Sequence, residues 1–271
     1  MPSFTYGFNL HYRTYGSGPQ HFVCFHGFSR SGGDFWFLGN SLGRRCTFHA
    51  FDLHFHGSSI GDPQRADDPF TPEEIRDFFS AFADHLDQEK INVLGYSLGG
   101  RMGLSLLETM PQRLRHAFLV APDGLKMRPW YRGLAASAIG RSLYKSFVDK
   151  PQRFHQLVQG LRKMNVVNDR MVEFVMRHTA QKERRQLLHD VWLSYRLLEP
   201  DLRTVASKLI EHDVYAHLIF GEYDRVIPPT LGRNLKLLAP KHVSEEVLPS
   251  GHWLLGYPLP DLIAHHLDKN A

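Results

Sequence analysis

Two cysteines in 271 residues leave no material for a disulfide framework. Cys24 and Cys46 each lie in an apolar, strand-like run, which reads as two buried thiols in a reducing compartment. No stretch approaches the ~20 consecutive apolar residues that cross a bilayer. The opening Met1-Pro2-Ser3-Phe4-Thr5-Tyr6 has neither the basic segment nor the apolar run of a secretory leader. The expectation is therefore a cytoplasmic protein with no membrane span. Neither sign of charge dominates: a net +4 is a mild basic bias that falls short of a nucleic-acid partner. The basic residues gather between Lys126 and Arg203, as in Lys182-Glu183-Arg184-Arg185, and read as a solvated helix surface. Internal repeats and low-complexity tracts are lacking. So is a G-x-G-x-x-G loop at a strand–helix junction, and no organic cofactor is expected.

What is present alternates. Phe8–Tyr15 reads as an early strand, and largely apolar stretches at His21–Phe25, Cys46–Leu53, Ile91–Gly95 and His116–Ala121 read as further strands. Helical patterns lie between them, around Phe35–Leu42, from Thr71 and over Leu98–Thr109. Thr71-Pro72-Glu73-Glu74 combines a capping hydroxyl, a first-turn proline and two acids at the positive helix end. From about Leu125 to Leu209 the period is helical without a convincing strand, and aromatics (Trp130, Tyr131, Phe147, Phe154, Phe174, Trp192, Tyr195) are scattered through it as packing residues. A strand at Val214–Phe220, a helix at Pro229–Leu238, a strand at Val243–Leu248 and a helix at Leu259–Leu267 complete the chain. Such alternation implies an α/β fold with a mostly parallel sheet flanked by helices, whose chemistry lies at the carboxyl ends of the strands. The helical stretch would be a lid inserted after the sixth core strand. The division expected is 1–124 and 210–271 for the core and 125–209 for the lid.

Gly95-Tyr96-Ser97-Leu98-Gly99-Gly100 contains G-x-S-x-G between the strand Ile91-Asn92-Val93-Leu94 and a helix carrying Met102, Leu104 and Leu107. This is the strand–turn–helix setting of a nucleophile elbow, which exposes Ser97 at a helix head. The helix N-terminus and the Leu98 N–H favour negative charge there. A hydroxyl needs a base at neutral pH. Downstream, Phe220-Gly221-Glu222-Tyr223-Asp224 presents Asp224 and Pro249-Ser250-Gly251-His252-Trp253 presents His252, each after a strand. In that order Ser97 is the candidate nucleophile, His252 its base and Asp224 the acid that orients the base.

His26-Gly27-Phe28, Asp52 with His56-Gly57-Ser58-Ser59, the elbow, Gly221-x-x-Asp224-x-x-x-Pro228 and Gly251-His252 together resemble the α/β-hydrolase family over nearly the whole chain. The resemblance implies an eight-stranded sheet and an oxyanion hole made by the Phe28 and Leu98 backbone N–H groups. It also names a rival acid, because some relatives carry theirs after the sixth strand, where this chain has Asp123. His54 and Phe55 stand where the family often has Pro and Gly, a change of loop shape.

Other signals take duller readings. His54-x-His56 beside Asp52 lacks a further ligand cluster, so no metal is expected. His85, His116, His178, His189, His212 and His265 read as surface or helix-face residues. His26, Tyr96, Arg101 and Trp253 are candidates for contact with substrate, and Arg101 is equally suited to an acid partner. The expected activity is hydrolysis of a carboxylic ester or related small acyl compound. C–C bond hydrolysis by the same triad is an alternative. So is a lyase, since Gly95–Arg101 with His26-Gly27-Phe28-Ser29 is locally similar to the SHCHC synthase of menaquinone biosynthesis. A ligand receptor with little turnover is a third.

Overall fold

The computed structural model describes residues 2–126, 137–163 and 180–269; Trp130, Tyr131, Phe174 and His178 lie outside them. Eight strands form one sheet: β1 (Ser3–Tyr6), β2 (Phe8–Tyr15), β3 (Gln20–Phe25), β4 (Cys46–Phe51), β5 (Ile91–Tyr96), β6 (Leu114–Val120), β7 (Tyr215–Gly221) and β8 (Val243–Leu248). Their order is β1-β2-β4-β3-β5-β6-β7-β8. The β1–β2 and β2–β4 pairings are antiparallel and the rest parallel. All six residues of β4 and of β5 are buried, as strands covered on both faces must be, and this is why they read as largely apolar runs, interrupted only by Thr47, His49 and Asn92. β1 is an addition to the sequence reading. It has four residues, three of them exposed, too short and too wet to show an alternating pattern.

The helices α1 (Trp36–Leu42), α2 (Pro72–His85) and α3 (Leu98–Thr109) follow β3, β4 and β5. α2 begins with a full capping box: the Glu74 N–H donates to the Thr71 hydroxyl at 3.1 Å, and the Thr71 N–H donates to the Glu74 carboxylate at 2.9 Å. Its buried face carries Ile75, Phe78, Phe79 and Phe82. Phe79 meets Phe25 and Phe51 edge-on at 4.8 and 5.2 Å, and Phe78 stacks on Phe8 at 4.4 Å. Each such aromatic pair contributes about 0.5–1.5 kcal/mol beyond its buried area. Cys24 and Cys46 are buried, unpaired thiols.

Between β6 and β7 the described residues form α4 (Ala138–Asp149), α5 (Pro151–Lys163), α6 (Lys182–Ser194) and α7 (Leu202–Glu211), with no strand among them. After β7 the stretch read as one helix is a short 3₁₀ turn, Pro229–Leu231, followed by α8 (Arg233–Leu238); α9 (Leu259–Lys269) closes the described chain. None of the described helices is long and apolar enough to cross a membrane.

The chain divides into two compact units, one of Met1–Gly61, Thr71–Lys126 and Leu198–Ala271, the other of Asp62–Phe70 and Met127–Leu197. α7 thus falls in the sheet-bearing unit, where the Asp201 N–H before it donates to Glu108 on α3 at 3.1 Å. Helical period alone does not separate a crossover helix from the helices of an insertion. Residues 62–70 likewise group with the second unit. There the Phe70 N–H donates to the Ser194 carbonyl at 2.8 Å, and the Phe70 ring stacks on Tyr195 at 5.3 Å. These pairings join residues more than 120 positions apart and leave no local pattern.

Candidate active site

β5 delivers the chain to Ser97, and α3 starts at the next residue. Ser97 has φ 52° and ψ −112°, a left-handed conformation that a non-glycine residue holds only when its surroundings over-determine it. They do so here. The Ser97 N–H donates to the Val120 carbonyl at 2.9 Å, and its own carbonyl accepts from the Gly100 and Asp123 N–H groups at 2.8 and 2.9 Å. Gly99 completes the turn, because a Cβ there would collide with the Phe25 backbone.

Two more strand ends meet this serine. The His252 Nε2 lies 3.2 Å from the Ser97 Oγ, and the His252 Nδ1–H donates to the Asp224 carboxylate at 2.7 Å. The other Asp224 oxygen accepts from the Val226 and Ile227 N–H groups at 2.8 and 3.0 Å. Burial alone would raise the Asp224 carboxyl. The hydrogen bonds from His252, Ile227 and Val226 outweigh it and hold the group below the ordinary carboxylate value. The two loops are tied as well, since the Tyr223 N–H donates to the Ser250 carbonyl at 2.9 Å.

The loop after β3 is held by two neutral histidines. Buried His26 donates from Nδ1 to the Gly27 carbonyl at 2.7 Å and accepts at Nε2 from the Leu53 N–H at 3.0 Å. Burial, followed by the nearby His56, pushes its pKa down to about 3. His56 donates from Nδ1 to the His54 carbonyl and accepts from the Ser29 N–H, both at 2.9 Å; burial lowers it too. The Asp52 carboxylate takes Arg13, the Gly32 N–H and the Ser58 N–H, each at 2.7 Å. Asp52 and His56 are thereby committed to loop geometry, and no group of three or more His, Cys, Asp or Glu among the described residues is placed to hold a metal. The Phe28 and Leu98 N–H groups donate to no described residue.

A sequence profile of the alpha/beta hydrolase fold matches residues 20–257. The chain belongs to the α/β-hydrolase fold family. A dihydrolipoyllysine-residue acetyltransferase component of the acetoin cleaving system of Pseudomonas putida is 27% identical over 221 residues, 80% of this chain and 55% of that one, so the chain spans about half the length of that relative. The uncharacterized hydrolase YugF of Bacillus subtilis is 25% identical over 264 residues, 96% of this chain and 93% of that one. A solved thermophilic esterase from Thermogutta terrifontis is similar with a TM-score of 0.67 at 17% identity, over 97% of this chain and 94% of that one, a likeness of fold.

The remaining candidates in this α/β-hydrolase fall into two groups. Arg101, nearly buried, forms an ion pair with Asp123, whose second oxygen accepts the Gly124 N–H at 2.8 Å. The rival acid thus faces an arginine, while the His252 Nδ1–H is taken by Asp224. Tyr96 is buried and donates its hydroxyl to the His252 carbonyl at 3.1 Å, and Trp253 meets the Tyr96 ring edge-on at 5.7 Å. The Arg30 guanidinium lies over Trp253, 4.3 Å from the ring centroid. A cavity of about 500 Å³ opens beside them, lined by Arg30, Trp36, Trp253, Leu255 and Tyr257 among others. Arg30 was not singled out from sequence, because its partner lies 223 positions away. One assignment is corrected. His116 is on β6, neither at the surface nor on a helix, and is buried and bonded to His217 at 3.1 Å. A polar residue within an apolar strand gives no local sign that a second polar residue across the ladder will satisfy it. His189 lies on α6, buried and bonded to the adjacent Asp190 at 2.9 Å.

Proposed function

We propose that this α/β-hydrolase cleaves a carboxylic ester or related small acyl compound through an acyl-enzyme on Ser97. One observation carries the reading: the unbroken hydrogen-bonded line from Ser97 Oγ through His252 to Asp224, at 3.2 and 2.7 Å. With Nδ1–H given to Asp224, the His252 Nε2 is left as the acceptor facing the Ser97 hydroxyl. The Ser97 oxygen attacks the carbonyl carbon while Nε2 takes the hydroxyl proton. Nε2 then returns that proton to the leaving alcohol as the C–O bond breaks. Water repeats the cycle, with His252 as base, and frees the acid. The Asp224 carboxylate, kept ionised by its hydrogen bonds, stabilises the transient imidazolium. The oxyanion is assigned to the uncommitted Phe28 and Leu98 N–H groups at the head of α3, each such donor contributing about 10²–10³ in rate. Arg101 is engaged by Asp123, which weighs against the lyase reading, where this guanidinium would bind an anionic substrate.

The test incubates the protein, beside Ser97→Ala, with a tagged fluorophosphonate and with p-nitrophenyl esters of rising acyl length. The expected result is labelling and ester turnover in the parent and neither in the variant. Labelling without turnover would shift the reading to C–C cleavage or to a receptor. A well-folded parent that takes no label would remove Ser97 as an activated nucleophile.

A further inference from the structure

We infer that Tyr96, Trp253 and Arg30 form a brace that locks the loop carrying His252 against the elbow and the loop after β3, making Tyr96 and Trp253 positioning residues. The inference rests on the roles proposed above for Ser97 and His252.

The loop Gly251–Leu255 carries no regular secondary structure, so its geometry must come from side chains that reach it. Tyr96, the residue before Ser97, is one. Its hydroxyl donates to the His252 carbonyl at 3.1 Å, and its ring lies 5.5 Å from the imidazole and 5.7 Å from the Trp253 indole. The same ring is pressed from the other loop, because a Cβ at Gly27 would sit 3.0 Å from it. Trp253 continues the contact outward to Arg30, three residues beyond Gly27, whose guanidinium covers the indole at 4.3 Å. Arg30 does not swing freely: its Nε and one terminal nitrogen grip both Asp34 oxygens at 2.6 and 2.8 Å. Within the loop, the Ser250 hydroxyl donates to the Trp253 carbonyl at 3.1 Å.

The brace therefore ties the nucleophile's own neighbour to the base and to the proposed oxyanion loop. Burial pushes the Tyr96 phenol up to about 12, so the hydroxyl stays a donor across the working range. This placement gives Tyr96 a different task from substrate contact, since its hydroxyl is spent on the His252 backbone, and gives Trp253 a task besides lining the cavity.

The experiment compares the parent with Tyr96→Phe, Trp253→Ala and Trp253→Phe in two ways. Hydrogen exchange of the peptide spanning Gly251–Leu255 reads the brace without reference to catalysis. The two disruptive variants should exchange faster there while α2 and α3 keep parent rates, and Trp253→Phe should stay close to parent. Second, kcat and the fluorophosphonate labelling rate should fall together at unchanged KM. The fall should be about 3–10-fold for Tyr96→Phe, the worth of one hydrogen bond, and about 10–100-fold for Trp253→Ala, the cost of a misplaced base. Trp253→Phe should recover most of it. Parent exchange rates in all three variants would overturn the brace. So would a rise in KM alone, which would make these residues substrate contacts. A parent that takes no label would overturn the proposed function, and the exchange measurement would still decide the brace.

Discussion

β6 and β7 lie side by side in parallel, and each ends in a turn that offers a carboxylate: Asp123 after one, Asp224 after the other. Their backbones are equally well held. The Asp123 N–H donates to the Ser97 carbonyl, and the Asp224 N–H to the Gly221 carbonyl at 3.1 Å. The difference lies in what the carboxyl groups meet. Asp224 has no exposed side-chain surface, takes two backbone N–H groups on one oxygen and presents the other to His252. Asp123 is about one-third exposed and faces Arg101 from α3. An acid tied to a guanidinium is held as a counter-ion. An acid whose spare lone pairs are filled by rigid backbone donors is free to orient a histidine. In the proposed mechanism the partner, more than the position after a strand, sets the role.

Asp224→Asn should break the comparison most severely. The Asn oxygen can keep the Val226 and Ile227 donors, which turns its amide nitrogen toward His252. A donor there demands an unprotonated Nδ1, so the proton moves to Nε2 and the base facing Ser97 is lost. The expected fall in kcat is about 10⁴-fold with the fold intact, read from ester turnover beside circular dichroism. Asp123→Asn should do the opposite. It leaves kcat within about threefold of the parent. By uncovering the nearly buried Arg101 it lowers stability by about 1–3 kcal/mol, read as a drop in the thermal midpoint. If Asp123→Asn abolished turnover and Asp224→Asn did not, the two roles would have to be exchanged.

Much of this arrangement can be read along the chain, because its signals are local. Ser97 stands in a Gly-bounded turn between an apolar strand and a helix, Asp224 closes an apolar run, His252 follows a strand in a Ser-Gly-His turn, and Thr71 and Glu74 sit at the capping spacing. What could not be read depends on contacts between distant residues. Nothing near Arg101 chooses Asp123 over a substrate carboxylate, and nothing near Asp123 chooses Arg101 over His252. The grouping of residues 62–70 with the helices of the second unit, the cation–π contact of Arg30 with Trp253 and the bond of buried His116 to His217 all rest on pairings across 100 residues or more. Period and motif carry no information about such partners.

The same two strands carry a second polar feature near their starts, and it gives the mildest test. His116 on β6 bonds through Nδ1 to the His217 Nε2 on β7 at 3.1 Å. His217 Nδ1 bonds to the Ser244 hydroxyl on β8 at 2.8 Å, and the His266 ring on α9 stacks on His217 at 3.9 Å. Arg115, His265 and Lys269 add positive charge nearby, and the Glu246 carboxylate lies 4.0 Å from His266. Burial, followed by the neighbouring histidines and cations, pushes His116 down to about 4 and His217 to about 2, and lowers His266. These groups bind protons more tightly unfolded, near 6.5, than folded. Stability is therefore full above about pH 6.5 and falls as the pH drops from there toward 4, by up to about 1.4 kcal/mol per pH unit for each of His116 and His217. Thermal midpoints measured from pH 7.5 to 4.5 should decline, and His217→Gln should flatten the decline by about one proton. Because β6 and β7 bear both turns, acid should loosen Asp123 and Asp224 together. If hydrogen exchange at pH 5 instead opened one turn while protecting the other, the two carboxylates would differ in their scaffold as well as in their partners.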